Sequence, residues 1–436
     1  MKTHSLIVTA LLLLCLGTTA FGQVTWTAQY MGRGEYRHGF QTPAATNANP
    51  AFFVGQRARM GMKYTHEKFR LNISAQDVRT WGQTANGSAD VSGLFSIHEA
   101  NAELLLNKNM TVKAGRQEIA YDEDRIFGSL DWALFARRHD AAIFKYEDST
   151  WKAHAGFAYN QDREQSNSTI YTVANNYKTF QYAYVSKQLK DLNLSFLFLN
   201  NGLQWTHLDT NNVIDDSGVR FSQTAGLRGA YSKNKLGANA TFYYQMGKDV
   251  ANKDISAYEA SAEVSFKPID KLKLIAGFEM LSGTSQTDTA NKANHSFMPF
   301  YGTNHRFNGY MDLFYVGNFA NSVGLTDPYF KVVFNTKKII AAAEGHFFMA
   351  GADIRDLSNL TEIKAMPAYI GTEVDVTFLY NIADYVSVQA GYSHLLPTAS
   401  FAAVRGGDIN ETQNWAYLML LVRPGMIKFP KSGLKM

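Results

Sequence analysis

Only one of the 436 residues is cysteine, and it is Cys15, inside an apolar run near the N-terminus. Leu11 to Leu14 precede it, so the small residue that lipidation requires just before the cysteine is missing. A chain that sheds this run has no cysteine at all, which removes disulfide frameworks, thiolate metal sites and cysteine nucleophiles. Long hydrophobic stretches are also missing. Beyond residue 22 none approaches the ~20 apolar residues of a spanning helix, although hydrophobic residues make up 46% of the chain and mean hydropathy is negative. Charge of one sign is scarce as well. The formal net charge is +4, too little for the basic field that nucleic-acid binding uses.

The first residues read as an export signal. Lys2 gives a small positive n-region, residues 6–16 a short apolar core, and Ala20-Phe21-Gly22 small residues at the −3 and −1 positions of a cleavage site. The expected division is a leader over 1–22, a single body over 23–422 with Gln23 as its first residue, and a C-terminal tail over 423–436.

Apolar residues in the body are spread in alternation. Val24, Trp26, Ala28, Tyr30, Gly32, Gly34 and Tyr36 form one face of a first strand, and Thr25, Thr27, Gln29, Met31, Arg33, Glu35 and Arg37 the other. The same period of two recurs through Val54 to Lys63, Phe69 to Gln76, Leu236 to Gln245, Tyr258 to Phe266, Glu373 to Tyr380 and Val386 to Ser393, with a last strand at about Asn414 to Val422. A soluble sandwich would bury such an apolar face, whereas a membrane barrel turns it to lipid and lines its lumen with the polar one. Three features favour the barrel. The leader exports the chain, and the segments are near the ~9–11 residues of a tilted membrane strand. Aromatics also sit at strand ends as a girdle would place them: Trp26, Tyr36, Tyr64, Trp151, Tyr159, Tyr231, Tyr244, Tyr258, Phe266, Tyr380 and Tyr392. The expected fold is therefore all-β, a transmembrane antiparallel up-and-down barrel of about eighteen strands, sixteen to twenty. Its expected place is the outer membrane of a Gram-negative bacterium, among lipid and lipopolysaccharide. Longer connections are expected at 42–50, 80–92, 122–136, 160–178, 201–219, 283–308, 354–366 and 398–413, on the outer side.

Parity assigns charged residues to the lumen. Arg33, Arg37, Arg57, Arg59, Lys63 and Arg70 gather on the inner faces of the first three strands, with Arg228 across from them. Carboxylates share the inner faces: Glu35, Glu99, Glu103, Glu259, Glu263, Glu279, Glu373 and Asp375. Two readings stand side by side: a basic strip that draws anions, since arginine and lysine rings select for them in pores, or ion-pair ladders that brace the wall. Catalysis has little support. His139 and Asp140 are adjacent on a strand and point to opposite faces, and His98, His154 and His346 lack metal-ligand spacing. No enzyme activity, metal or cofactor is expected, nor a nucleic-acid partner.

The densest charged region is Gly115-Arg116-Gln117-Glu118 through Arg125, then Gly128-Ser129-Leu130-Asp131-Trp132, then Arg137-Arg138-His139-Asp140. It resembles the alginate export family of outer-membrane barrels, in which a strand ending in Gly-Arg-Gln leads to a loop with Gly-Ser and Asp-Trp pairs and then an Arg-Arg-x-Asp strand start. Tyr301-Gly302-Thr303-Asn304-His305 with Phe307-Asn308-Gly309-Tyr310, and Gly371-Thr372-Glu373 through Asn414-Trp415-Ala416-Tyr417, resemble the Bacteroidetes version of this family. The resemblance implies a monomeric barrel whose constriction passes an anionic polyuronate, with Arg116, Arg125, Arg137 and Arg138 at the matching positions. Alternation gives Arg116 the lipid-facing parity of Val112 and Ala114, so either Gly115 marks a bulge that turns it inward or Arg116 lies at the rim. The function expected is passage of polar, anionic solutes such as uronate oligo- or polysaccharide. A general porin for small polar nutrients is the alternative, and an outer-membrane hydrolase or adhesin a more distant one.

Overall fold

A computed structural model describes residues 22–87, 94–290, 292–358, 361–425 and 427–428. The expected leader lies outside the described residues except for Gly22. Strands follow in chain order as β1 (Gln23–His38), β2 (Ala51–Thr65), β3 (Phe69–Thr80), β4 (Phe95–Leu105), β5 (Met110–Gln117), β6 (His139–Glu147), β7 (Trp151–Tyr159), β8 (Thr179–Leu189) and β9 (Leu192–Leu208). The second half runs β10 (Ile214–Lys233), β11 (Leu236–Lys248), β12 (Asp254–Ile269), β13 (Leu272–Leu281), β14 (Leu325–Asn335), β15 (Ile339–Met349), β16 (Tyr369–Ala383), β17 (Val386–Pro397) and β18 (Gln413–Val422). Each strand pairs antiparallel with the next. β1 closes the ring on β18, with Tyr30 opposite Val422 and His38 opposite Asn414. Closure leaves no open sheet edge, as a sheet in lipid requires.

Period-two patterning becomes the two faces of this wall. Phe52, Met60, Phe144, Leu227, Phe242, Val264, Phe330 and Leu418 stand exposed on the outer face, and the aromatics of the expected girdle share it. The inner face is polar, with Arg57, Gln76, Gln117, Asn201, Thr224, Glu259, Glu373 and Asp375 all buried. Connections between β2 and β3, β8 and β9, β10 and β11, and β12 and β13 are tight turns at one end. The long loops all lie at the other.

One expected connection differs. Residues 201–219 are not a loop, because β9 and β10 run on as a paired ladder to Leu208 and Ile214, with Trp205 opposite Gly218. The polar and glycine-rich composition there suggested loop, but backbone pairing in a hairpin does not need an apolar face once the strands leave the lipid. Beyond β18, Ile427–Lys428 (β19) pair with β1, opposite Trp26 and Thr25.

The largest buried cluster lies inside the barrel. Phe297, Met311, Leu313, Phe314, Phe319 and Val323 come from the connection 282–324, and pack with Phe348 of β15, Ile370 of β16 and Phe401 of the short helix α1 (Ala399–Arg405). A loop that is hydrophobic can be buried only where its backbone groups find partners. Here Met311 N–H donates to Glu373 Oε1 (2.7 Å) and its carbonyl accepts from Gln41 N–H (2.8 Å).

Candidate functional site: the lumen and its inner loops

Two connections fold into the lumen, 118–138 (L3) and 282–324 (L7). They carry the two sequence blocks singled out above, and these blocks meet. Gly128 N–H donates to Tyr301 O (2.9 Å), Tyr301 N–H to Ile126 O (3.0 Å), and Leu130 N–H to Thr303 Oγ1 (3.1 Å). Trp132 stacks on His305 with ring centroids 4.6 Å apart. At this junction a Cβ on Gly302 would lie 2.2 Å from Arg125 O, a backbone atom that cannot swing away, so the close approach demands glycine. Arg137 lies here too and donates to Gly302 O (2.7 Å). Burial pushes its guanidinium down to about 10, with Tyr301 opposing the shift.

L3 crosses the lumen from wall to wall. At one end Tyr121 hydrogen-bonds His154 of β7 and Tyr182 of β8 (both 2.9 Å), and Asp122 accepts from Tyr184 and Ser195 (both 2.8 Å). Glu123 pairs with Arg228 of β10. Burial raises the Glu123 carboxyl above its usual range, and Arg228 opposes that. At the other end, Arg57 of β2 donates to the carbonyls of Ala133 (3.1 Å), Leu134 (3.2 Å) and Asp131 (3.3 Å) and to Asp131 Oδ1 (2.9 Å). Arg33 donates to Trp132 O (2.9 Å), and its guanidinium lies 4.4 Å from the Trp132 ring.

The candidate residues therefore divide by environment. Arg33 and Arg37 flank Glu35 (2.8 and 2.7 Å), which also accepts from Trp415 Nε1 (3.1 Å). Arg57, Arg125 and Arg137 are engaged with L3, L7 or the wall. Arg125 pairs with Glu279 and its guanidinium sits 3.7 Å from the Phe307 ring. Arg138 is half-buried at the end of L3, donating to Phe135 O at 3.4 Å. Arg59, Lys63, Arg70 and Glu103 face the part of the lumen nearer the short turns, Arg70 and Glu103 paired at 3.0 Å. Glu99 is on the same wall, near Arg59 and Lys113.

Arg116 is a correction. Gly115 has a positive φ of 116°, yet Arg116 points outward and forms a two-pronged pair with outward-facing Asp140, 2.9 Å on each arm. The register runs through Gly115 without a shift, alternation holds, and Arg116 leaves the lumen set.

Lumen charge is segregated, which the strand-by-strand reading missed. Cations cluster on β1–β6, where Lys113 and Lys145 join those already named. Carboxylates cluster on β12–β16. Glu259, Glu279, Asp327, Glu344, Glu373 and Asp375 are all buried there, with Lys331 and His346 among them (Lys331–Glu344 and His346–Asp327 both 2.9 Å), and Glu263 accepts from Tyr329 (2.8 Å) nearby. Asp327, Lys113 and Lys145 escaped notice because only the closed ring brings distant strands opposite one another. Their signal was parity alone.

The model of a family described as alginate export matches residues 23–412. No curated protein matches the sequence. Solved structures with the same architecture include OccAB4 of Acinetobacter baumannii, at TM-score 0.62 and 12% identity over 93% of this chain and 98% of that one. OccK1 (OpdK) of Pseudomonas aeruginosa gives 0.59 and 11% over 93% and 99%. A BenF-like porin from Pseudomonas fluorescens Pf-5 gives 0.59 and 12% over 92% and 98%.

Proposed function

Because the chain belongs to the alginate export family, we propose that its barrel is a channel for anionic solutes, uronate oligo- or polysaccharides above all, which move along the basic wall of the lumen. That it is an outer-membrane channel of a Gram-negative bacterium and not an enzyme follows from the family and the porin-like barrel. The anionic cargo is the further step. The observation that carries it is the set Arg59, Lys63, Arg70, Lys113 and Lys145, on the inner faces of β2, β3, β5 and β6 and only partly offset by Glu99 and Glu103 of β4 and by Glu118 and Asp131 of L3. Weak, distributed sites of one sign let an ion enter and leave. The carboxylates of the opposite wall are buried under L7, which keeps them out of the path. The charged solute and the lipid around the barrel are the partners in this reading, and the barrel works as a monomer.

Reversal potentials across a planar bilayer in a KCl gradient test this. Anion preference is expected, falling when Lys63→Gln and Lys113→Gln are combined. Cation preference in the unaltered channel would reject the reading. A general pore for small polar solutes is the second reading, favoured by L3 and L7 narrowing the lumen. It predicts that uncharged sugars enter proteoliposomes as fast as uronates of equal size.

A further inference from the structure

Three guanidinium groups converge on Asp131 of L3. Arg57 Nη2 and Arg59 Nη1 reach Oδ1 at 2.9 and 3.3 Å, and Arg423 Nη2, just beyond β18, reaches Oδ2 at 3.0 Å. One carboxylate is short of balancing three cations. Glu118 is 3.9 Å from Arg59 but already holds His98 at 2.7 Å. Arg59 Nη2 is buried with no hydrogen-bond partner, a donor left over in this cluster. The cluster is open to the lumen, since the side chains of Asp131 and Arg423 are 34% and 51% exposed.

The loop does not depend on the Asp131 carboxylate. Arg57 binds three L3 carbonyls, Arg33 binds Trp132 O, and Gln76 Nε2 donates to Phe135 O at 3.0 Å. The Asp131 side chain can therefore swing away while L3 stays docked.

We propose that Asp131 is a resident stand-in for the carboxylate of the cargo: it occupies a carboxylate site made by Arg59 and Arg423, with Arg57 behind, and a uronate exchanges with it during passage. The proposal rests on the anion-path reading. It adds Arg423 to the lumen residues and gives the site a chemistry, since guanidinium forks match a planar carboxylate in geometry and charge. A tethered carboxylate keeps the three cations from repelling one another between passages. It also weakens binding of the free ligand, because the ligand must displace it, and a conducting site has to release what it binds.

Block of single-channel KCl current by a uronate trisaccharide tests this, with maltotriose as the uncharged control. In D131N the competing carboxylate charge is removed without loss of side-chain volume, and the blocking concentration is expected to fall about tenfold, the equivalent of one charge-assisted contact. In R423Q, at an exposed position, it is expected to rise by about as much. Equal block in the unaltered channel and either variant overturns the proposal, even if anion preference remains. Cation preference in the unaltered channel with block appearing only in D131N supports the stand-in and removes the anion-path reading. Absence of block in all three, or equal block by maltotriose, overturns the carboxylate site.

Discussion

Arg57 is fully buried on the inner wall, and four acceptors explain why it stays there: three L3 carbonyls and the Asp131 carboxylate. Removing such a group strands its partners, which costs more than the net worth of the bonds. Arg57→Met keeps the bulk and removes the donors. It is expected to lower the unfolding free energy in detergent by about 3 kcal/mol and to increase open-channel current noise as L3 loosens. Unchanged stability and noise would remove Arg57 as the anchor. At this scale alternation made most of the lumen legible: Arg33, Arg57, Arg59, Arg70 and Glu373 are on the face their parity gave them. What each does there was not legible, because the choice between binding solute and binding a loop depends on where L3 folds. Arg423 was missed because it lies just past the last strand, where parity no longer applies, and Arg116 shows parity prevailing over motif likeness.

Hairpins were legible because a membrane strand is selected on one face by lipid and on the other by water. Loop interiors were not, for lack of any period to read. The two motif blocks, one in L3 and one in L7, are more than 150 residues apart in sequence, as in the Arg137 to Gly302 contact at a separation of 165. Nothing local announces that they pair. Their pairing still accounts for the glycines within them, since Gly302 faces the Arg125 carbonyl at a distance no side chain tolerates. Gly302→Ala must push L3 and L7 apart, and overpacking of this kind costs about 2 kcal/mol. The expected result is a barrel that still assembles, with L3 cut faster by protease added on the loop side. Cleavage no faster than in the unaltered protein would mean that the junction does not hold L3 in place.

An eighteen-strand ring is wide enough to leave an aqueous channel unless something fills it, and in this molecule the filling is a hydrophobic core built from loops. L7 supplies Phe297, Phe314 and Phe319 to that core. It also covers the acidic wall, with Asn308 donating to Glu279 (2.7 Å) and Asp327 (3.2 Å) and Met311 N–H to Glu373 (2.7 Å). Among the described residues the basic wall has no comparable cover below L3. On the proposed anion-path reading the route runs along β2–β6, and L7 sets both its width and its sign by shielding the carboxylates opposite. Replacing residues 299–320 with a short Gly-Ser link leaves every strand-to-strand ladder intact, because none includes that segment. Two changes are expected together: conductance rises several-fold as the lumen opens, and anion preference falls as Glu259, Glu279, Glu373 and Asp375 become wetted and join the path. A rise in conductance with undiminished anion preference would show that the basic wall alone sets selectivity. Unchanged conductance would mean that L3, and not L7, defines the narrowest point.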